Sequence, residues 1–511
     1  MAPKPILKHH ELSGAPPHGQ PLQGEIIASE YADTDPVLVA KMKLVNNAID
    51  EIGFTNYHIK LFFLNGFGYG VDSILTFIPS ITASNVVAEF NPSYTRAGQL
   101  SVYIGLLIGS LFWGLSADIV GRKWAFNLTL IISAVFGIVA GSSPNYESWV
   151  FFNAMMAFAS GGNLVLDTTV FLEYLPSKSS WLVVLMAAWW GVGQTVAGLV
   201  AWGFLPNHSC HADAPICSRS ENMGWRYVYF TCGALIFIMS MARVLVIHFH
   251  ETPKYSLCND EDEKVVMTLK HIADKYNRPC SITLEQLQSY GKINRSQGRK
   301  CDWLFEVKRH YKGLFATKRM STSLTLIWLS WSVIGLAYPL FYTFLPDYIT
   351  SRGASFEENS PYITWRNYTI TNSLAIPGPI IAAFLCRLRL FGRKYTMVIG
   401  ALLAMTFFFA YSAVKSPAQD LGFNCAASVC INLYYGTLYA YTPEVLPSAH
   451  RATGNGTAVA LNRLMGIMAV VIGTFSNTAT SVPIYVCAAL FAVLAVISAV
   501  LPFESVGGYS M

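Results

Sequence analysis

Twelve apolar runs, each near the ~20 residues that a helix rising 1.5 Å per residue needs to cross ~30 Å of hydrocarbon, follow one another along this chain. They lie near 59–82, 97–117, 124–141, 149–171, 181–204, 226–247, 323–346, 367–386, 395–413, 421–442, 453–475 and 482–502. A buried helix of a large soluble protein mimics one or two such runs, but not twelve in series. In lipid the backbone has no water to bond, so each run must close its own hydrogen bonds as a helix. The pattern predicts an all-α membrane protein of twelve transmembrane helices in two six-helix bundles. Composition agrees: 13% of the 511 residues are charged, about half the ~25% of a soluble domain.

Charge is concentrated in residues 1–60 and 248–320, with six runs on each side of the second stretch. The expected organisation is a tail at 1–58, a bundle at 59–247, a central loop at 248–320, a second bundle at 321–502 and a short tail at 503–511. Lys41, Lys43, Lys60, Arg122, Lys123, Lys178, the cations from Lys254 to Arg319, Arg387, Arg389, Arg393, Lys394 and Arg451 fall on one side of the spans; Arg96, Arg219, Arg352, Arg366 and Lys415 fall on the other. The positive-inside rule puts the basic side, with both tails and the central loop, in the cytoplasm. The net charge of +5 expresses this bias rather than a nucleic-acid footprint. Residues 1–58 hold no apolar signal core, so the first span does the targeting. The tail is expected to be flexible to Asp35, with an amphipathic helix over Pro36–Ile52.

Two motifs recur at one offset. Gly121-Arg122-Lys123 returns as Gly392-Arg393-Lys394, and Glu173-Tyr174-Leu175-Pro176-Ser177 as Glu444-Val445-Leu446-Pro447-Ser448; adding 271 to the first number gives the second in both cases. The chain is a duplication, the plan of many secondary transporters built around a midplane site. Before the first copy, Gly114 and Ala117 permit close helix contact, and Asp118 ends the second span. In the second copy Arg389 stands where Asp118 does, so gating control is expected to differ between the halves.

The stretch from Gly114 to Lys123 resembles the signature between the second and third helices of the major facilitator superfamily. Glu251-Thr252-Pro253-Lys254-Tyr255, the run Tyr441 to Gly454, and Gly161-Gly162-Asn163-Leu164-Val165-Leu166-Asp167 resemble its sugar-transporter-like branch, and within it the fungal synaptic-vesicle-protein-2-related group. The resemblance covers roughly residues 57–505 and implies the major facilitator fold. It also implies a cytoplasmic gate built from Gly114, Asp118, Gly121, Arg122, Lys123, Glu173, Glu251, Arg393, Glu444 and Arg451. The Gln-Gln pair and Gly-Pro-x-x-Trp run of hexose porters are replaced here by Trp328, Trp331, Tyr338 and Tyr342 in span 7 and by Gly436-Thr437-Leu438-Tyr439 in span 10, which disfavours a hexose. The Gly-Pro run of drug/proton antiporters is missing between Trp190 and Gly198, which disfavours export.

Charges inside the spans are expensive and therefore functional candidates. Asp72 falls near the bilayer middle and Asp167 in the cytoplasmic third of span 4; each is a candidate for proton coupling or substrate contact, with a structural hydrogen bond as the alternative. Arg463, about ten residues into span 11, is a candidate anion contact or a gate partner for Glu444 or another carboxylate. Tyr338 with Tyr342, and Tyr435 with Tyr439, share helical faces by their spacing of four. They suit a partly apolar or ring-containing ligand, with Asn163 and Gln194 as polar contacts.

The function expected is alternating-access transport of a small organic solute, coupled to protons and directed inward, by a monomer in the plasma membrane or a vacuolar or other internal membrane. Efflux of a secondary metabolite or drug, and a non-transporting nutrient sensor, are the alternatives. An enzyme is disfavoured. No histidine falls at a span centre, no His/Cys cluster points to a metal, and no phosphate-binding loop or cofactor motif is present. Cys210 and Cys217 share the non-cytoplasmic side, where a disulfide is permitted, and Asn207-His208-Ser209 beside them is a glycosylation acceptor pattern.

Overall fold

The structure, a computed structural model, describes residues 36–119, 121–210, 217–246, 251–293, 303–351, 360–388, 390–414, 416–475 and 482–504. Eleven helical segments among them are long and apolar enough to cross a membrane: Asn56–Phe90, Ala97–Ile119, Arg122–Gly141, Tyr146–Tyr174, Ser177–Phe204, Gly224–Leu245, Lys318–Tyr342, Pro361–Arg387, Gly392–Tyr411, Ser448–Phe475 and Val482–Val500. With the helix Pro417–Val445 they make the twelve expected spans, numbered 1–12 in chain order. Span 10, Pro417–Val445, falls below the apolar average of the others because it carries Asp420, Asn424, Asn432, Glu444 and four tyrosines.

Two spans are interrupted. Span 5 breaks at Ala187 between Trp181–Met186 and Ala188–Phe204. Span 8 breaks between Pro361–Ser373 and Pro377–Arg387, because Pro377 and Pro379 have no N–H to continue the ladder and Pro377 instead starts the next helix. The apolar pattern is blind to this break, since Leu374, Ala375 and Ile376 are as hydrophobic as the helices they separate. The interruptions abut: a side chain on Gly191 would meet the Ile376 nitrogen at 2.9 Å.

In the first bundle span 4 packs against spans 1, 2 and 3, span 1 against span 5 and span 3 against span 6. In the second, spans 7 and 9 pack on span 12, and span 10 on spans 8 and 9. The bundles meet along two seams, span 2 on span 11 and span 5 on span 8. Close approach in lipid depends on missing side chains; at Gly161 of span 4 an added Cβ would lie 2.6 Å from the Leu106 carbonyl oxygen and 3.0 Å from the Ser110 nitrogen of span 2.

The basic face carries further helices. The expected amphipathic helix forms over Pro36–Ile52 and buries Met42, Val45, Ala48, Ile49 and Ile52 beside Pro253–Cys258 and Asp262–Lys275. Buried Lys41 pairs with Asp262 at 2.7 Å and Asp260 at 3.3 Å, while the Asp50 carboxylate accepts from the Ser177 amide at 2.7 Å and hydroxyl at 2.9 Å. Trp303–Leu314 docks instead on the second bundle, where His310 and His450 share a 2.8 Å hydrogen bond and Tyr311 meets Thr457 at 2.8 Å. The tail before Pro36, expected to be flexible, lies outside the described residues.

Overpacking a tight helix seam costs about 1–3 kcal/mol. Gly161→Val is therefore expected to lower the thermal unfolding midpoint in detergent, whereas Gly203→Ala, inside a helix where nothing lies within 4 Å of the added carbon, is expected not to lower it.

Candidate functional site

Both copies of the Gly-Arg-Lys motif open a helix, and each Gly takes a positive φ that other residues resist: +118° at Gly121 and +56° at Gly392. The turn aims the first amides of the helix at a carboxylate. Glu251 accepts from the Arg122 and Lys123 amides at 3.0 and 3.3 Å, and Glu504 from the Arg393 and Lys394 amides at 2.6 and 3.3 Å. An anion there offsets the positive end of the helix.

The Arg122 guanidinium is buried. It pairs with Glu173, donates to Thr252 Oγ1 at 3.1 Å and to the Ser448 carbonyl of the other bundle at 2.8 Å, and lies 3.4 Å from Asp118. Glu173 also pairs with Arg451 at 3.2 Å, and Arg451 donates to the Pro443 and Leu446 carbonyls at 2.7 and 3.1 Å. Asp118 accepts from the Thr453 amide and hydroxyl, both at 2.8 Å. Gly114 completes this seam: a Cβ on it would sit 2.9 Å from the Ala452 carbonyl. Arg122, Asp118, Glu173 and Arg451 thus join the two bundles at the basic face.

The second copy is built differently. Arg393 and Glu444 pair twice, at 2.8 and 3.1 Å, within their own bundle. Arg393 also reaches the Ser180 hydroxyl of the first bundle at 3.4 Å. Arg389 lies outside the described residues.

Deeper in the first bundle, Asp72 sits buried near the middle of the 35-residue helix Asn56–Phe90. Its Oδ1 accepts from the Ser160 hydroxyl at 2.8 Å and the Asn163 amide at 3.4 Å, while its Oδ2 has no partner among the described residues. Asn163 also donates to the Gly68 carbonyl at 3.1 Å and accepts from Arg243 at 2.8 Å. Arg243, from span 6, pairs with Asp167, donates to the Phe126 carbonyl at 3.1 Å and lies over the Phe126 ring at 3.3 Å.

Across from Asp72 the second bundle presents rings. Trp331 meets Tyr439 edge-on at 4.5 Å, Tyr439 stacks with Tyr435 at 5.8 Å, and Tyr338 reaches Tyr435 at 6.0 Å and Tyr342 at 4.9 Å. Tyr69 of span 1 joins Tyr439 at 6.2 Å. Arg463, partly buried in span 11, lies within electrostatic reach of Asp72 and Tyr439 and forms no ion pair among the described residues. Gln194 is buried in span 5.

The sequence profile of the Major Facilitator Superfamily matches residues 61–470, most of the chain. The chain belongs to the Major Facilitator Superfamily. An uncharacterised transporter of this type from Schizosaccharomyces pombe is 38% identical over 96% of this chain and 92% of its own. A siderochrome iron transporter of Ceriporiopsis subvermispora is 36% identical over 94% of each chain, and a synaptic vesicle 2-related protein of Rattus norvegicus 26% over 95% of this chain and 84% of its own. In fold, the proton:xylose symporter XylE superposes with a TM-score of 0.67 at 15% identity, covering 89% of this chain and 98% of its own. The protein is thus a membrane transporter of this superfamily and not an enzyme.

One expected pairing does not form: Arg463 makes no ion pair with Glu444 among the described residues, and Glu444 pairs with Arg393 instead. Arg463 stands mid-helix in Arg451–Phe475. Lys123 contributes its amide, and its side chain is exposed. The structure joins Cys210 to Cys217 with Cα atoms 5.8 Å apart and leaves Asn207 exposed, both on the face opposite the basic one.

Sequence reading passed over two residues. Arg243 carried the same signal as Arg463, a charge inside an apolar run, but stands close enough to the end of span 6 to read as an interfacial cation. Glu504 was hidden because its partner copy, Glu251, lies 253 residues earlier and not 271.

Removing one partner of a buried ion pair costs about 3–5 kcal/mol. Glu173→Gln removes the carboxylate charge that Arg122 and Arg451 share across the two bundles and is expected to part the seam. Cysteine labelling at the span 4 and span 11 ends of the basic face should rise in this variant and stay at the wild-type level in Lys123→Ala.

Proposed function

We propose that the chain is a proton-coupled uptake transporter for a small, ring-bearing organic anion, working by alternating access. The observation that carries this reading is Asp72, buried at mid-span with one oxygen held and the other unpartnered, facing an Arg463 that has no ion pair among the described residues. Arginine stays charged, so Arg463 in lipid wants an anion. With no cargo bound, ionised Asp72 is that anion. An anionic cargo seated on Arg463 replaces it, and two anions against one cation in a medium of low dielectric favour a proton on Asp72. Cargo and proton therefore load together, and the loaded site is as neutral as the empty one.

The rings of Trp331, Tyr435, Tyr439, Tyr338 and Tyr342 support a cargo with an apolar or aromatic body. Gln194 offers a polar contact. Closure at the basic face falls to Asp118, Arg122, Glu173 and Arg451, with Glu251 and Glu504 setting the turns and Arg393 pairing with Glu444 in the second half. The basic face is cytoplasmic on the positive-inside rule, and the disulfide opposite it suits an oxidising exterior. Uptake across the plasma membrane is the direction in which an inward proton gradient does work on this arrangement.

In proteoliposomes with an imposed pH gradient, acid outside, a panel of radiolabelled monocarboxylates is expected to include at least one that accumulates. Asp72→Asn is expected to abolish gradient-driven accumulation while keeping counterflow exchange, and Arg463→Gln to raise the KM of that cargo by about tenfold or more, the equivalent of losing one charge-assisted hydrogen bond. Accumulation that survives in Asp72→Asn, or that favours neutral over anionic members of the panel, overturns the reading.

A further inference from the structure

Asp167 and Asp72 are both buried carboxylates on neighbouring spans, and among the described residues only Asp167 forms an ion pair. Between them stands Asn163, whose two amide atoms face opposite ways. Its oxygen receives the Arg243 Nη1–H at 2.8 Å; its nitrogen donates to the Gly68 carbonyl at 3.1 Å and to Asp72 Oδ1 at 3.4 Å. In the reverse orientation the NH₂ would point at a guanidinium donor and the oxygen at two acceptors. A donor cannot bond a donor, so Arg243 decides which way the amide points.

Arg243 is itself held on several sides. Asp167 takes Nη2, the Phe126 carbonyl takes a second bond from Nη1 and the Phe126 ring lies against the guanidinium face. The approach of Asp167 to span 1 is possible because position 68 is glycine: the Asp167 carboxylate occupies the space a Cβ there would need. The pair is neutral overall, and it reaches Asp72 by two routes, the Asn163 amide and the Asp167 carboxylate itself.

We infer that Arg243, held by Asp167, is a positioning residue for the proton site, fixing Asn163 so that its NH₂ favours the ionised form of Asp72. The inference rests on the reading of Asp72 as the proton-binding group. The other ionisable groups facing Asp72 are Tyr69 on its own span, Asp167 from span 4, Tyr439 from span 10 and Arg463 from span 11. Of these only Asp167 is altered in the test, and it is altered together with Arg243 so that net charge is conserved.

The test reads proton binding directly, by infrared titration of the protonated-carboxyl band in purified, cargo-free protein. The band of interest is the one that Asp72→Asn removes. Replacing the ion pair with apolar residues, Arg243→Met with Asp167→Leu, frees Asn163 to turn its oxygen toward Asp72. Losing a hydrogen bond to a charged group is expected to tighten proton binding at Asp72 about tenfold or more, a rise of about one pH unit or more in the midpoint. Asn163→Leu is expected to give a shift of the same sign with the ion pair intact. In the Asn163→Leu background, removing the pair is expected to give no further rise, because the amide route is already gone and loss of the Asp167 anion acts in the opposite direction.

An unshifted midpoint in Asn163→Leu overturns the inference, as does a further rise in the triple variant. A purely structural role for Arg243 would lower the yield of folded protein without moving the midpoint. If the ion-pair variant does not fold, Asn163→Leu alone decides. Should no band respond to Asp72→Asn at all, it is the proton-site reading that fails, a result distinct from an unmoved midpoint in a band that is present.

Discussion

Glu173 holds two guanidinium groups that belong to different halves of the molecule, Arg122 from its own bundle and Arg451 from the other. Buried together at the seam, these three groups carry one more positive charge than negative, and Asp118, bonded to Thr453 across the same seam, supplies the missing anion. Every member therefore depends on the halves being together. Separation exposes the groups to water, which solvates them well, so the cost of burying charge and the gain from pairing it nearly offset. That near balance is what a gate requires, because a seam held only by apolar packing would have no comparable alternative state at the basic face.

Duplication supplied the parts of this seam twice, but only the first copy places an ion pair between the bundles among the described residues. Arg393 and Glu444 pair at 2.8 and 3.1 Å within their own bundle, and Arg393 reaches across to Ser180 at 3.4 Å. The helix-start carboxylates, Glu251 and Glu504, are kept in both halves. What was preserved is the device that fixes each turn; what diverged is the device that joins the halves. Docking of the loop helices follows the same division, with Pro36–Ile52 tied to the first half through Asp50 and Ser177, and Trp303–Leu314 tied to the second through His310 and His450.

Much of this was legible in the chain because lipid leaves little choice. Twelve long apolar runs can only be helices, and a repeated Gly-Arg-Lys between runs marks equivalent turns. Asp72, Asp167, Glu173 and Arg451 could be singled out because a charge in or beside such a run must be answered by something. The answering groups were harder to find, since pairing depends on which faces meet and periodicity does not encode that. Arg243 illustrates the limit: its distance from the end of span 6 fits an interfacial cation, yet span 6 packs on span 3 so that the guanidinium turns inward over Phe126 toward span 4. The break in span 8 was invisible for the opposite reason, because it changes backbone bonding without changing hydropathy.

Charge in the middle of the bundle can then be followed to its end. Two carboxylates and two arginines lie there, and they are not equivalent. Arg243 and Asp167 stand on spans 6 and 4 of one bundle, so a rigid rocking of the halves does not change their separation. Asp72 and Arg463 stand on spans 1 and 11, in different bundles, so the same motion changes theirs. An interaction within one rigid body can set a proton affinity but cannot vary it during a cycle, whereas an interaction between bodies can. On the proposed proton-coupled reading the fixed pair suits tuning and the divided pair coupling, and the division follows from which spans the four residues occupy.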